Sequence, residues 1–190
     1  MSTLSWTCDC GAVRIAVAPA KGTRCICYCR DCQAFQRHLG HSEVLDAVGG
    51  TDLFQTMPDR VEIKAGAEQL ACLQLSEKGP LRWYAACCNA GICNTGRTFK
   101  VPLASFTVRG FEDATPAGEV LARVNRSGAT GHVAGPKGRV KTLVFRFLVA
   151  ALWARITGRF RKTPFFNPDG SPVALVKSLS TEEIESAYGG

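Results

Sequence analysis

Between Glu119 and Asp169 the chain has no acidic residue. That stretch instead carries Arg123, Arg126, Lys137, Arg139, Lys141, Arg146, Arg155, Arg159, Arg161 and Lys162, and the whole chain has a net charge of +7. A run of one sign attracts phosphates, lipid headgroups and other anions, or serves as a solvated face kept for solubility. A membrane-spanning segment is also missing. The unbroken apolar run at 147–154 falls far short of the roughly 20 residues a bilayer requires. The start, MSTLSWTCDCGAV, lacks the basic stretch and apolar core of a secretory signal, so a reducing, cytoplasmic setting is expected. No internal repeat occurs. Apolar and charged fractions of 46% and 21% speak against wholesale disorder and against a fibrous repeat.

Cysteine is the residue in excess, with ten in 190 residues. In a reducing compartment, clustered cysteines bind metal or do chemistry more often than they form disulfides. Cys8 and Cys10 make one group, Cys25, Cys27, Cys29 and Cys32 a second, and Cys87, Cys88 and Cys93 a third. Cys72, alone in ACLQL, reads as a small core hydrophobe.

Residues 4–17 read as strand, turn, strand, and TRCICYC alternates in the same way. Extended backbone would put Cys25, Cys27 and Cys29 on one side, with Arg30-Asp31 a polar turn returning Cys32 to the same point. A short helix is expected within 33–48, ending at Gly49-Gly50. Short strand candidates follow at LFQTM, RVEIKA, LACLQL, LRWYAACC, TFKVPL and ASFTVRG. The pattern predicts a mainly β chain, with an antiparallel domain over 1–111. Residues 112–139 read as a loop or linker. A helix is expected over 140–160, apolar around its circumference and edged by Arg and Lys. It is expected to pack on a sheet or a second subunit rather than lie on a membrane surface. A last short helix is expected at 180–187, with Glu182, Glu183 and Glu185 in a favourable position near its start. The segment 112–190 is thus an extension, containing the basic apolar helix and a tail, that packs on the first domain.

Zinc takes four ligands in a tetrahedron, and thiolate suits it. Cys27, Cys29 and Cys32, in C-x-C-x-x-C spacing, offer three sulfurs to one ion within six residues. Three protein ligands leave the fourth position for water or substrate, as catalytic zinc sites do, whereas four close it. Cys25 competes for that position. Three same-face residues of a strand span about 13 Å, however, too far for one tetrahedron without a sharp bend. An open three-sulfur site is therefore expected, with Cys25 buried or left as a spare thiol. Arg24, Arg30 and Arg37 stand close in sequence and suit substrate carboxylates, Arg30 and Arg37 above all. His38 and His41 follow the cluster closely and suit proton transfer, but as isolated histidines in a polar stretch they read rather as bystanders.

The order Cys8-Asp9-Cys10-Gly11, then Cys27-Tyr28-Cys29-Arg30-Asp31-Cys32, then Ser76 and Arg82-Trp83-Tyr84 leading into Cys87-Cys88, resembles the glutathione-dependent formaldehyde-activating enzyme family. That family includes centromere protein V. The likeness spans about 5–103. It implies a β-tent fold of small antiparallel sheets and two zinc ions. One ion would be structural, held by Cys8, Cys10 and a later pair. The other would be held by Cys27, Cys29 and Cys32 where glutathione binds. The family's later CxxC departs here, since Ala85 stands in place of its first cysteine, leaving Cys87 and Cys88 as the expected pair and Cys93 as a replacement.

Two functions follow as expectations. One is a zinc-dependent carbon–sulfur lyase acting on adducts of aldehydes with glutathione or a similar thiol. The other is a zinc-stabilised binding module without catalysis, whose basic carboxy-terminal region contacts nucleic acid, membrane or a protein partner, a second copy included.

Overall fold

A computed structural model describes residues 3–189. Among the described residues the chain is mainly β, with two sheets and three α-helices. The smaller sheet joins β1 (Leu4–Thr7), β2 (Arg14–Val17) and β5 (Val61–Ala65) in the order β1-β2-β5. The larger contains β3 (Thr23–Cys27), β4 (Thr51–Thr56), β6 (Leu70–Gln74), β7 (Leu81–Ala85), β8 (Gly91–Thr95), β9 (Ala104–Thr107), β10 (Val120–Val124) and β11 (Val176–Ser178). Its order is β10-β3-β4-β9-β8-β7-β6-β11. Every pairing among β1 to β9 is antiparallel, as the alternation predicts. The two edge strands come from the carboxy-terminal third and are parallel to their neighbours, β10 to β3 and β11 to β6.

Inward-facing residues of the two sheets form one apolar core. Trp6 and Ile15 come from the small sheet, and Phe54, Trp83, Ile92 and Phe106 from the large one. Phe165 enters from the carboxy-terminal segment and lies 5.1 Å from Trp83, ring to ring. Full burial of such aromatic side chains is the main favourable term in a fold of this size.

Four local expectations change. Arg30-Asp31 is not a turn but the start of α1 (Arg30–His38), because the Cys29 sulfur caps that helix, and the helix expected within 33–48 therefore begins at Arg30 and ends at His38 rather than at Gly49-Gly50. The TFKVPL segment is the turn-rich connection between β8 and β9, and the strand lies upstream in GICNT. Residues expected as linker contain β10. Helix α2 (Val140–Ile156) forms where expected, yet Leu143 and Ala154 are its buried residues and most of its apolar body faces outward. Helix α3 (Thr181–Tyr188) carries a complete capping box, Ser180 with Glu183, and packs on α1. No described helix is long and apolar enough to cross a membrane.

Candidate metal centres

Strand β3 ends at Cys27, and two residues later the chain turns into α1. Cys29 occupies the N-cap with extended dihedrals (φ −67°, ψ 145°), and Cys32 lies in the first turn. This bend lets Cys29, which a continued strand would carry away, fold back beside Cys27. Sγ of Cys27 and Sγ of Cys32 are 3.9 Å apart, and all three sulfurs lie within 4.8 Å of one another. Two sulfurs bound at about 2.3 Å to one tetrahedral zinc stand about 3.8 Å apart. The trio therefore matches the span a metal ion needs. Among the described residues no further Cys, His, Asp or Glu joins it.

Cys27 and Cys32 are buried and Cys29 half-buried, so access to the trio is from the Cys29 side. Several groups favour negative charge there. The α1 N-terminus points its free N–H groups at the cluster, and Cys32 N–H donates to Cys29 Sγ at 3.4 Å. Asn125 Nδ2 donates to Cys27 Sγ at 3.3 Å. Hydrogen bonds from Cys29 and Cys32 pull Cys27 far below the usual thiol range. The bonds to Cys27 in turn push Cys29 and Cys32 upward, aided by burial. The trio accepts one negative charge easily and resists more, and a divalent cation removes that resistance.

A second group forms where the β1–β2 turn meets the segment after β7. Sγ of Cys8 lies 3.6 Å from Cys10 and 3.8 Å from Cys87, while Cys10–Cys87 is 3.2 Å and Cys87–Cys88 is 3.9 Å. Four sulfurs thus converge, including the adjacent pair that stands opposite Ala85 in the resemblance. Val13 N–H donates to Cys8 Sγ at 3.2 Å. The Ala12 backbone N–H, with Cys87, lowers Cys10 to about 7. His41 braces this group rather than the trio: its Nε2 donates to the Cys88 carbonyl at 3.1 Å, and its Nδ1 faces Glu43 at 2.9 Å. Four protein sulfurs fill a tetrahedron, and this group is the closed one.

The remaining candidates lie elsewhere. Cys25 is fully buried two residues before Cys27, outside the trio, and burial pushes it up to about 12. Cys93 is buried on β8 and belongs to neither group. Arg24 is tied to Asp52 through three short contacts, the shortest 2.6 Å. Arg30 lies over the Tyr188 ring, 5.6 Å from its centroid, at the exposed rim of α1. Arg37 donates to Gln33 one turn back on α1, at 3.1 Å.

Three residues beside the trio escaped sequence reasoning as site residues. Arg82 is 2% exposed on β7, with Nη1 3.9 Å from Cys32 Sγ and 3.1 Å from Asn94 Oδ1. Its other arm lies 3.6 Å from Asp31 Oδ2, and its guanidinium stacks on Phe35. Asn125 follows β10 in left-handed conformation (φ 54°). Gly128 lies so close to the Tyr28 carbonyl that a β-carbon would collide with it, and it packs beside the Cys29 backbone. The Gln33 amide then ties Gly128 O (2.8 Å) to Tyr28 O (3.0 Å). A buried arginine within an apolar strand and an asparagine after an unrecognised one carry little sequence signal, although the Arg82-Trp83 pair belongs to the resemblance.

Residues 1–177 match the DUF6151 family, described as a family of unknown function, and the chain belongs to that family. No curated protein matches it. Among solved structures it is similar to the crystal structure of a Rhodobacter sphaeroides protein, a structural-genomics target. Identity there is 24%, covering 62% of this chain and 97% of that one, with a TM-score of 0.41.

Proposed function

We propose that this member of a family of unknown function holds two zinc ions and uses one of them in carbon–sulfur bond chemistry on a thiol such as glutathione. Cys8, Cys10, Cys87 and Cys88 would hold the structural ion. Cys27, Cys29 and Cys32 would hold the other. The observation that carries the reading is the difference between the groups, four converging sulfurs in one and three in the other. When bound, zinc supplies a site that favours a substrate thiol in its thiolate form at neutral pH.

The chain's own residues serve that chemistry in separate ways. Burial of Cys27 and Cys32 excludes water from the inner side of the trio, leaving the half-buried Cys29 side for a ligand. Arg82, buried against Cys32, offsets the negative charge that three thiolates bring. Arg30 at the exposed rim suits a carboxylate of a peptide-like thiol. The reaction class is addition of a thiol to an aldehyde, and its reverse. A bond forms between sulfur and the carbonyl carbon, and the proton lost by the thiol ends on the carbonyl oxygen. No oxidant or reductant is needed. Likeness of the first two cysteine motifs to the formaldehyde-activating family supports this class.

Metal analysis of purified protein, with Cys29→Ala beside it, tests the reading. Two zinc ions are expected in the parent and one in a variant that keeps its circular dichroism spectrum. Cobalt substitution followed by glutathione titration should alter the visible absorption of the parent and leave that of Cys29→Ala unchanged. An unfolded Cys29→Ala chain, or a cobalt spectrum indifferent to thiols, would make the trio a structural site and end the catalytic reading.

A further inference from the structure

Helix α2 presents its apolar side to solvent. Val144, Leu148, Leu152 and Ile156 form one ridge at four-residue spacing, and Phe145, Val149 and Trp153 form the ridge beside it. Each of the seven is between 46% and 70% exposed. Together the ridges make a stripe about 18 Å long. Lys141 lies at one end of this face and Arg155 at the other, both exposed. A soluble helix normally turns such a stripe inward, so exposure on this scale marks an interaction surface.

The surroundings select the partner. A groove of about 610 Å³ runs between α2 and the turn before β5, with Met57, Val149 and Trp153 on its walls and Lys21, Arg60 and Arg146 at its edge. The carboxylate of Asp59 also lies there, but it is buried and paired with Arg159 at 2.6 Å. The whole surface is therefore apolar at its centre and cationic around it.

A two-fold dimer through the stripe would set Lys141 and Arg155 of one copy against the same residues of the other, with like charges opposed. Nucleic acid would satisfy the cations and could stack on Phe145 and Trp153, but the five branched aliphatics Val144, Leu148, Val149, Leu152 and Ile156 that make up the rest of the stripe offer bases no stacking face. An anionic bilayer satisfies both parts, since acyl chains accept the stripe while headgroups meet Lys141, Arg146 and Arg155. We infer that α2 docks the protein on an anionic lipid surface, lying in the interface with its Val144–Ile156 stripe in the acyl layer.

Flotation with phosphatidylcholine vesicles containing about a third phosphatidylglycerol, against phosphatidylcholine alone, tests the inference on the full chain. Lys141, Arg146 and Arg155, at about 1 kcal/mol each, should together favour the anionic vesicles by about a hundredfold, with the preference falling at high salt. Trp6 and Trp83 are buried and Trp153 is exposed, so a blue shift in tryptophan emission on binding reports Trp153 entering lipid. Leu148→Ser with Leu152→Ser, both exposed positions, should abolish binding while the far-ultraviolet spectrum stays unchanged. Lys141→Gln should weaken it about fivefold. The inference is overturned if the parent ignores anionic vesicles, or if the double serine variant still binds them. A dimer that this variant disperses, or retention by nucleic acid, would equally overturn it when no vesicle binding accompanies it.

Discussion

Arg82→Met tests the electrostatics of the three-sulfur site most directly. A charged side chain 2% exposed needs partners, and the Arg82 guanidinium has Cys32 Sγ at 3.9 Å, Asn94 Oδ1 at 3.1 Å and Asp31 Oδ2 at 3.6 Å. Two unit charges 3.9 Å apart at an effective dielectric of about 20 interact by about 4 kcal/mol. The sulfurs share their charge, only one of them touches the arginine, and Asp31 already neutralises part of it. About 1–3 kcal/mol remains, which is about 5- to 150-fold in zinc affinity, spanning the range usual for residues that support metal ligands.

Methionine approximates the length of the arginine stem, so the stem's packing is largely kept while the guanidinium goes, with its charge and its stacking on Phe35. Zinc affinity of each group is read by chelator competition on Arg82→Met, with Arg82→Lys as the charge-retaining control. The expected result is a weakened three-sulfur site, an unchanged four-sulfur site, and partial recovery in the lysine variant. Equal affinity in all three proteins would refute the argument, because then the buried cation and the sulfurs do not communicate. Equal weakening at both groups would refute it too, as a general loss of fold.

Two further variants separate geometry from charge. Asn125 both donates to Cys27 and adopts φ 54°. Asn125→Gly should therefore lose metal affinity without much loss of stability, while Asn125→Ala should add about 1 kcal/mol of backbone strain, seen as a melting point about 2–4 °C lower. Equal melting points for the two would show that the loop does not hold that conformation. Burial raises Cys25 to about 12, which leaves about one part in ten thousand as thiolate at pH 8. Iodoacetamide should modify it about a thousandfold more slowly than an ordinary thiol in the folded protein, and at the ordinary rate in denaturant. Rapid labelling of Cys25 in folded protein, read by peptide mass spectrometry, would place it at the surface.

Much of this arrangement was legible in residue spacing. Alternation located β1 to β7 and β9 because their inward residues, such as Trp6, Ile15 and Phe106, repeat with the period of the pleat. The C-x-C-x-x-C spacing identified the sulfurs of the trio, although the chain brings them together by a strand end and a helix cap rather than by a strand and a turn. That difference is physical: a free cysteine sulfur at an N-cap accepts a backbone N–H, and the residues after it are then free to be helical. Adjacent Cys87 and Cys88 both reach the second group because the chain turns sharply after β7, with Cys88 N–H bonded to the Ala85 carbonyl at 3.3 Å. No single-residue propensity encodes that turn.

Illegible parts share one cause, since they depend on distant segments. Strand β10 is a short VLARV run held extended by the edge of β3, where Val124 pairs with Cys27, and by backbone bonds to Lys137 and Arg139 on its other side. Once docked, it delivers Asn125 to the Cys27 sulfur and Gly128 to the backbone of Cys29. The carboxy-terminal third is thus a wall of the three-sulfur site. Helix α2 continues from the same wall, and its buried Leu143 lies in one apolar cluster with Cys25, Cys27 and Cys32. Pulling α2 away would uncover the sulfurs as well as the helix. If α2 docks on lipid through its outer stripe as inferred, Leu143 stays seated against Cys25, Cys27 and Cys32, so docking would leave the sulfur trio covered on its inner side.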